Sequence, residues 1–165
     1  TRSVLSGHKY AARQFIKQGT KGSIITTSSA AGLQGGWGGT AYTVAKHSVI
    51  GAVHQAAAEL GPYGIRSNAI CPGVIMTPIM ASAFGVPAER SDEFLEFLAK
   101  RFANVHPIGR VGRPRDIAEA AVFLASDSSE FITGVALPVD GGATAVASGS
   151  FGAQAVEATK EFLAG

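Results

Sequence analysis

The 165-residue chain is predicted to be an α/β protein built on a parallel sheet covered on both faces. Three observations carry this. Runs of strand length alternate with amphipathic stretches of helical period along the chain. The strand candidates, at 23–28, 66–70 and 135–139, are short and largely apolar, as in a buried sheet. Each is followed at once by a polar group or a breaker, namely Ser28–Ser29, Pro72–Gly73 and Asp140–Gly142. Those points fall at the carboxyl ends of the strands, outside which such sheets bind their ligands.

Val4, Leu5, His8, Ala11, Ala12, Phe15 and Ile16 recur at three to four residues, so 3–18 reads as a helix, ended by Gly19. SIITTS at 23–28 reads as a strand entered from a turn at Lys21–Gly22. The loop Ala30–Gly39 holds five glycines and Trp37, a composition that is flexible or lets a ligand approach the backbone closely. In 41–60, Val49, Val53, Ala57 and Leu60 form one helical stripe, stopped by Gly61–Pro62. A turn at Gly64 leads into the strand RSNAI, which Pro72–Gly73 breaks. Residues 74–90 read as irregular and 91–103 as a helix bearing Phe94, Leu95, Leu98 and Phe102, either a substrate lid or a plain core helix. HPIGRVGRP is a loop whose Pro114 suits the first turn of a helix over 114–126. Arg110, Arg113 and Arg115 read as a solvated turn with Asp116 as local partner. A third strand follows at 135–139; residues 143–151 are small, and 152–164 can form a last helix. Residues 1–147 are expected to be one domain part and 148–165 an extension.

Hydrophobic residues make up 46% of the chain and charged residues 16%, a balance that argues for a packed core and against disorder. The net charge of +2 is spread out, without the basic run that a nucleic-acid groove or an anionic membrane surface calls for. The one cysteine, Cys71, lies in the apolar run NAICPG and reads as a small buried hydrophobe in a reducing compartment. No apolar stretch reaches membrane-spanning length and the first residues have no signal-peptide layout. The expectation is a soluble, cytoplasmic protein. His8, His47, His54 and His106 show no metal spacing with carboxylates, so no metal site is expected and helix-face or surface roles are. No Gly-x-Ser-x-Gly elbow marks a serine hydrolase.

The stretch from Ser28 to Lys46 carries chemistry. Tyr42 and Lys46, four residues apart in a helix, lie on one face. A cation beside a phenol favours the phenolate, and such a tyrosine can exchange a proton with an alcohol or carbonyl oxygen. A serine hydroxyl at the end of the preceding strand can hold the same oxygen. Taken alone, the spacing fits equally a surface lysine above a half-buried tyrosine.

From about residue 3 to 146 the chain resembles the short-chain dehydrogenases/reductases, through GSIITTSS, AYTVAK, GIRSNAICPGVIMT, HPIGRVGRPRDIAEAAVFLASDSSEFITG and VDGG in that order. The resemblance implies a Rossmann-type doubly wound parallel sheet, and covers only the C-terminal half of such a domain. It implies hydride transfer between NAD or NADP and a small alcohol or ketone. Tyr42 would be the acid/base and also a cofactor contact, and Lys46 would assist it and bind the nicotinamide ribose. Ser29, thirteen residues before Tyr42, rather than Ser28, would bond the substrate oxygen. Pro72, Gly73, Ile75 and Thr77 would pack on the nicotinamide and bind its carboxamide, and 78–104 would be the substrate loop. The last strand, reaching Asp140–Gly142, is often an oligomer contact in the family, so a homo-oligomer, dimer or tetramer, is implied.

The family's first strand and its Gly-x-x-x-Gly-x-Gly turn have no counterpart here. Its catalytic asparagine would fall just before Thr1, and Asn68 and Asn104 do not match it. The strand at 23–28 is expected to have a bare edge. The alternative reading is therefore a truncated, inactive module that serves interaction or oligomerisation.

Overall fold

The computed structural model describes residues 1–146 and 151–164. Its elements run α1 (Arg2–Gln18), β1 (Gly22–Thr27), α2 (Thr40–Leu60), β2 (Ile65–Pro72), α3 (Pro78–Ala83), α4 (Ser91–Arg101), α5 (Pro114–Ala125), β3 (Ala136–Val139) and α6 (Phe151–Ala164). The strands form one parallel sheet in the order β1-β2-β3, with Thr27 opposite Ile70 and Pro72 opposite Val139. This is the α/β sheet expected from the sequence.

The sheet is covered on both faces, and β2 shows how. Ala69 and Cys71 pack with Val53 of α2, against Ile50, Leu33 and Ala136, and Ser67 on the same face meets His8 of α1. The next residue along, Arg66, points the other way and donates to the Leu124 carbonyl of α5 at 2.9 Å. Side chains alternate across a strand, so α1 and α2 lie on one face and α5 on the other.

Polar residues inside β2 act as clamps. Asn68 is fully buried; its amide donates to the Ile132 carbonyl at 2.9 Å and its oxygen accepts from the Val135 amide at 3.0 Å. Arg66 also donates to the carbonyls of Ser126 and Ile132. Together they tie the loop entering β3 to the central strand and satisfy buried backbone groups that would otherwise be costly. Leu124 is the largest fully buried side chain of α5. Leu124→Ala is expected to cost about 2–5 kcal/mol, read as a lower urea midpoint with an unchanged m-value.

Two features differ from the sequence reading. Residues 74–90 are not irregular throughout: Pro78 opens the short helix α3 behind an extended Thr77, and a 3-10 turn spans Ala88–Arg90. Proline at the first helical position is pre-set for a helix there and does not break it. His106 is buried in a loop, neither on the surface nor on a helix face, whereas His8 lies on the buried face of α1. The Nδ1 of His8 bonds the Val4 carbonyl at 3.0 Å and its Nε2 meets Ser67 Oγ at 3.1 Å, joining α1 to the sheet. Residues 147–150, within the stretch of small residues at 143–151, lie outside the described residues.

Candidate active site

β1 ends at Thr27, and the chain leaves it through Ser28 and Ser29 into a 3-10 turn over Ala30–Gly32. Ser28 is buried and donates its hydroxyl to the backbone carbonyl of Lys46 at 2.9 Å. The ammonium of Lys46 donates in turn to the Thr27 carbonyl at 3.1 Å. Lys46 is thus tied at both ends to the carboxyl end of β1. Gly32 makes this possible: a Cβ there would lie 2.8 Å from the Lys46 carbonyl oxygen and would strike Ser28 Oγ.

Tyr42 sits one helical turn before Lys46, with the ammonium 5.6 Å from its ring centroid, within cation–π range. Tyr42 is half exposed, and no described residue bonds its hydroxyl. Ser29 is extended, and its Oγ accepts the Ala31 amide at 3.1 Å. That bond uses a lone pair and leaves the hydroxyl proton free to donate. The sequence-predicted trio therefore lies on two neighbouring pieces, the end of β1 and the first two turns of α2, with unspent donors on Ser29, Tyr42 and Lys46.

The segment after β2 lies beside this group, because β1 and β2 are paired through Thr27 and Ile70. Gly73 donates to the Val139 carbonyl at 3.2 Å, and Ile75 bridges to Gly112. The Thr77 hydroxyl caps nothing in α3. A Cβ on Gly73 would lie 2.8 Å from His106 Nε2 and 3.0 Å from Asp140 Cα, so this glycine serves close packing against the end of β3. Gly38 plays a like part in the glycine-rich loop: its missing side chain makes room for the Tyr42 ring, whose Cδ1 would be 2.8 Å from a Cβ.

A cavity of about 780 Å³ opens between the glycine-rich loop, Val74 after β2 and the α3–α4 region; Ser29, Tyr42 and Lys46 do not themselves line it. Trp37, Val74, Met80, Phe84, Phe102 and Val105 line it, Gln34 and Asn104 supply polar edges, and no charged residue contributes. Phe84 meets Phe94 edge-on at 6.1 Å, holding α3 to α4, while Leu98 is buried. Phe94 and Leu98 of α4 thus serve packing, while Phe102, just past its end, forms cavity wall.

The electrostatics around the strand ends are mostly settled by local bonds. Burial raises the Asp140 pKa, but hydrogen bonds from the Thr144 hydroxyl and amide and the Gly142 amide outweigh it and hold the carboxyl below its usual value. The Arg110 guanidinium, bound at 2.7 and 2.9 Å, and the Arg113 amide hold Asp116 well below the usual carboxylate range. Burial pushes the Cys71 thiol up, which disfavours a nucleophilic role. Burial also pushes His106 below the ordinary imidazole value; the Asp140 carboxylate opposes this and Arg110 adds to it. No cluster of three His, Cys, Asp or Glu suited to a metal occurs among the described residues, and none of their helices is long and apolar enough to cross a membrane.

The burial of His106 and the double tether of Lys46 were not predicted. Both depend on residues far apart in sequence, Val74 with His106 and Thr27 with Lys46, and no local pattern signals them.

Residues 1–144 match the family model described as enoyl-(acyl carrier protein) reductase. Short-chain dehydrogenase reductase ATA1 of Arabidopsis thaliana is 45% identical over 155 residues, 88% of this chain and 54% of that protein. Among solved structures, ElxO with NADP bound superposes with a TM-score of 0.71 at 34% identity, covering 84% of this chain and 52% of that one. The structure of 4-hydroxyisoleucine dehydrogenase complexed with NADH gives a TM-score of 0.68 at 32% identity, over 84% of this chain and 53% of that one. The chain spans about half the length of the curated relatives it matches. On the family match, the sequence identity and the shared fold together, the chain belongs to the short-chain dehydrogenase/reductase family.

Proposed function

We propose that the protein containing this chain is an NAD- or NADP-dependent oxidoreductase that interconverts a small apolar alcohol and its ketone. The observation that carries the reading is the tethered trio. Ser29, Tyr42 and Lys46 present free donors at the carboxyl end of β1, and Lys46 is fixed there through Thr27 and Ser28.

The residues present suit the nicotinamide end of such a cofactor. Lys46 bonds one carbonyl of the protein and keeps two N–H groups, the right chemistry for ribose hydroxyls. The free Thr77 hydroxyl suits a carboxamide, and Pro72, Gly73 and Ile75 supply surface at the end of β2. The cofactor, when bound, supplies or accepts the hydride. The protein's own part is proton transfer and placement. Ser29 donates to the substrate oxygen and holds it. Tyr42 delivers a proton to that oxygen in reduction and removes one in oxidation. Lys46, its ammonium 5.6 Å from the Tyr42 ring centroid, orients the cofactor ribose.

Residues 1–147 are then the C-terminal part of the Rossmann-type domain and 148–165 an extension beyond it. We place the protein in the cytoplasm as a homo-oligomer. Val122 and Phe123 of α5 and Phe131 beyond it are exposed apolar residues of the kind a second copy covers.

Because only uncharged residues line the cavity, secondary alcohols with apolar rings or chains are expected to be turned over, and carboxylated or phosphorylated analogues to lose ~10²-fold or more in kcat/KM through desolvation of the unpaired charge. The basic test is titration with NADH and NADPH, following quenching of Trp37, with Trp37→Phe as the control. Saturable quenching by either dinucleotide is expected. Binding of neither would refute the reading.

A further inference from the structure

Past the end of β2 the chain turns sharply, and successive backbone groups of the turn are held by different parts of the protein. Gly73 donates to Val139 of β3 at 3.2 Å, and the Val74 carbonyl accepts from Gly112 at 2.9 Å. Met76 donates back to the Gly112 carbonyl at 3.0 Å. Between these bonds the Val74 amide donates to Nε2 of His106 at 3.1 Å, the one side-chain contact in the series. The imidazole is 2% exposed and fills a slot between two glycines. A Cβ on Gly73 would lie 2.8 Å from Nε2, and one on Gly141 would lie 3.1 Å from His106 Cβ. Since Nε2 accepts, the ring proton of neutral His106 sits on Nδ1, which has no hydrogen-bond partner among the described residues. The histidine leaves a buried donor unmet and in return gives the Val74 amide the one acceptor it has among the described residues.

We propose that His106 is a positioning residue for the nicotinamide end of the cofactor, which holds the Pro72–Thr77 segment in its binding geometry through the Val74 amide and releases it when the ring is protonated. This rests on the function proposed above, in which that segment contacts the nicotinamide.

The release follows from valence. An imidazolium carries hydrogens on both nitrogens and no lone pair at Nε2, so two N–H groups would face each other. The charged groups around the ring are Asp140 at the end of β3 and Arg110 on the ring's own loop. The Asp140 oxygens are engaged by Gly142 and Thr144, and Arg110 by Asp116. The facing segment, Pro72–Met76, has no titratable side chain. Burial holds the folded pKa below the ordinary imidazole value. The unfolded chain therefore binds the proton more readily, and stability rises with pH. The neutral ring's contribution is whole above about pH 6.5 and is lost as pH falls through the lower folded value.

The test uses the natively expressed protein, His106→Leu and His106→Gln, whose amide oxygen can take the place of Nε2. Two quantities are measured: the Kd for NADH or NADPH, and hydrogen exchange at the Val74 amide without cofactor. At about pH 8, His106→Leu is expected to raise Kd roughly tenfold, the equivalent of one hydrogen bond, and to speed Val74 exchange. His106→Gln is expected to restore both. Lowering the pH through the folded ring's value, which lies below the ordinary imidazole pKa of about 6.5, should raise the wild-type Kd and leave the Gln variant flat; this comparison decides the matter where the Leu variant does not fold. Unchanged Kd in a folded Leu variant, or identical pH profiles for wild type and Gln, would overturn the proposal. If the wild type binds neither dinucleotide while Val74 exchange responds as expected, the proposed function has failed and the positioning role falls with it; unchanged exchange shows instead that the hold itself is wrong.

Discussion

Tyr42→Phe is expected to lower kcat for alcohol–ketone interconversion by roughly 10²–10⁴-fold, the usual worth of a positioned proton donor. The substitution removes one oxygen and keeps the ring. The hydroxyl has no described protein partner, and the residue is half exposed, so stability should change by no more than about 0.5 kcal/mol. The ring still fills the space that Gly38 leaves for it and still lies under the Lys46 ammonium. Cofactor affinity should therefore be little altered. The signature is a large fall in kcat with unchanged melting and near-unchanged dinucleotide Kd. A parallel fall in stability would mean that the hydroxyl is structural.

Gly32→Ala is expected to damage fold and function together. The added Cβ would lie 2.8 Å from the Lys46 carbonyl oxygen and collide with Ser28 Oγ. Both are held in place, one by the hydrogen bonding of α2 and the other by its 2.9 Å bond to that carbonyl. Relief requires α2 to move off β1, at a cost of about 1–3 kcal/mol. The same movement takes Lys46 away from Thr27, so kcat/KM should fall even in the fraction that stays folded. Gly35→Ala is the control. A Cβ there meets nothing within 4 Å, and stability should stay within about 0.5 kcal/mol of wild type. Urea denaturation of both variants, with activity measured at equal folded fraction, separates the two effects.

Much of this architecture was legible in the residues, for definite physical reasons. α1, α2 and α5 show a helical apolar period and end or begin at glycine or proline. The strands were placed within a few residues by their breakers, though β2 extends on through Cys71 and Pro72. α3 was not legible: six residues hold too few turns to show a period. In the site, the spacing of Ser29, Tyr42 and Lys46 could be read because α2 is one uninterrupted helix. The roles of Thr27, Gly32 and His106 could not. Each depends on a close approach between elements that meet only once the sheet is formed. Arg66 and Asn68 teach the same lesson. Polar residues in a buried strand look out of place until their carbonyl partners on the β3 approach are seen.

The bare edge of β1 bears on the alternative reading. Among the described residues β1 pairs with β2 alone, and a strand edge of this kind can pair with another strand. An interaction module would use that edge and leave the trio idle, whereas an oxidoreductase needs both the edge covered and the trio working. Chemistry therefore discriminates where binding does not.

The most direct measurement is deuterium transfer. The natively expressed protein is mixed with reduced nicotinamide dinucleotide, NADH and NADPH in turn, deuterated at the transferring carbon, and with a panel of apolar ketones, and the alcohol products are analysed by mass spectrometry. Deuterium is expected at the carbinol carbon with wild type, with a loss of roughly 10²-fold or more with Tyr42→Phe. Transfer at the wild-type rate in the Tyr42→Phe protein, or dinucleotide binding with no transfer to any ketone, would contradict the proposed function.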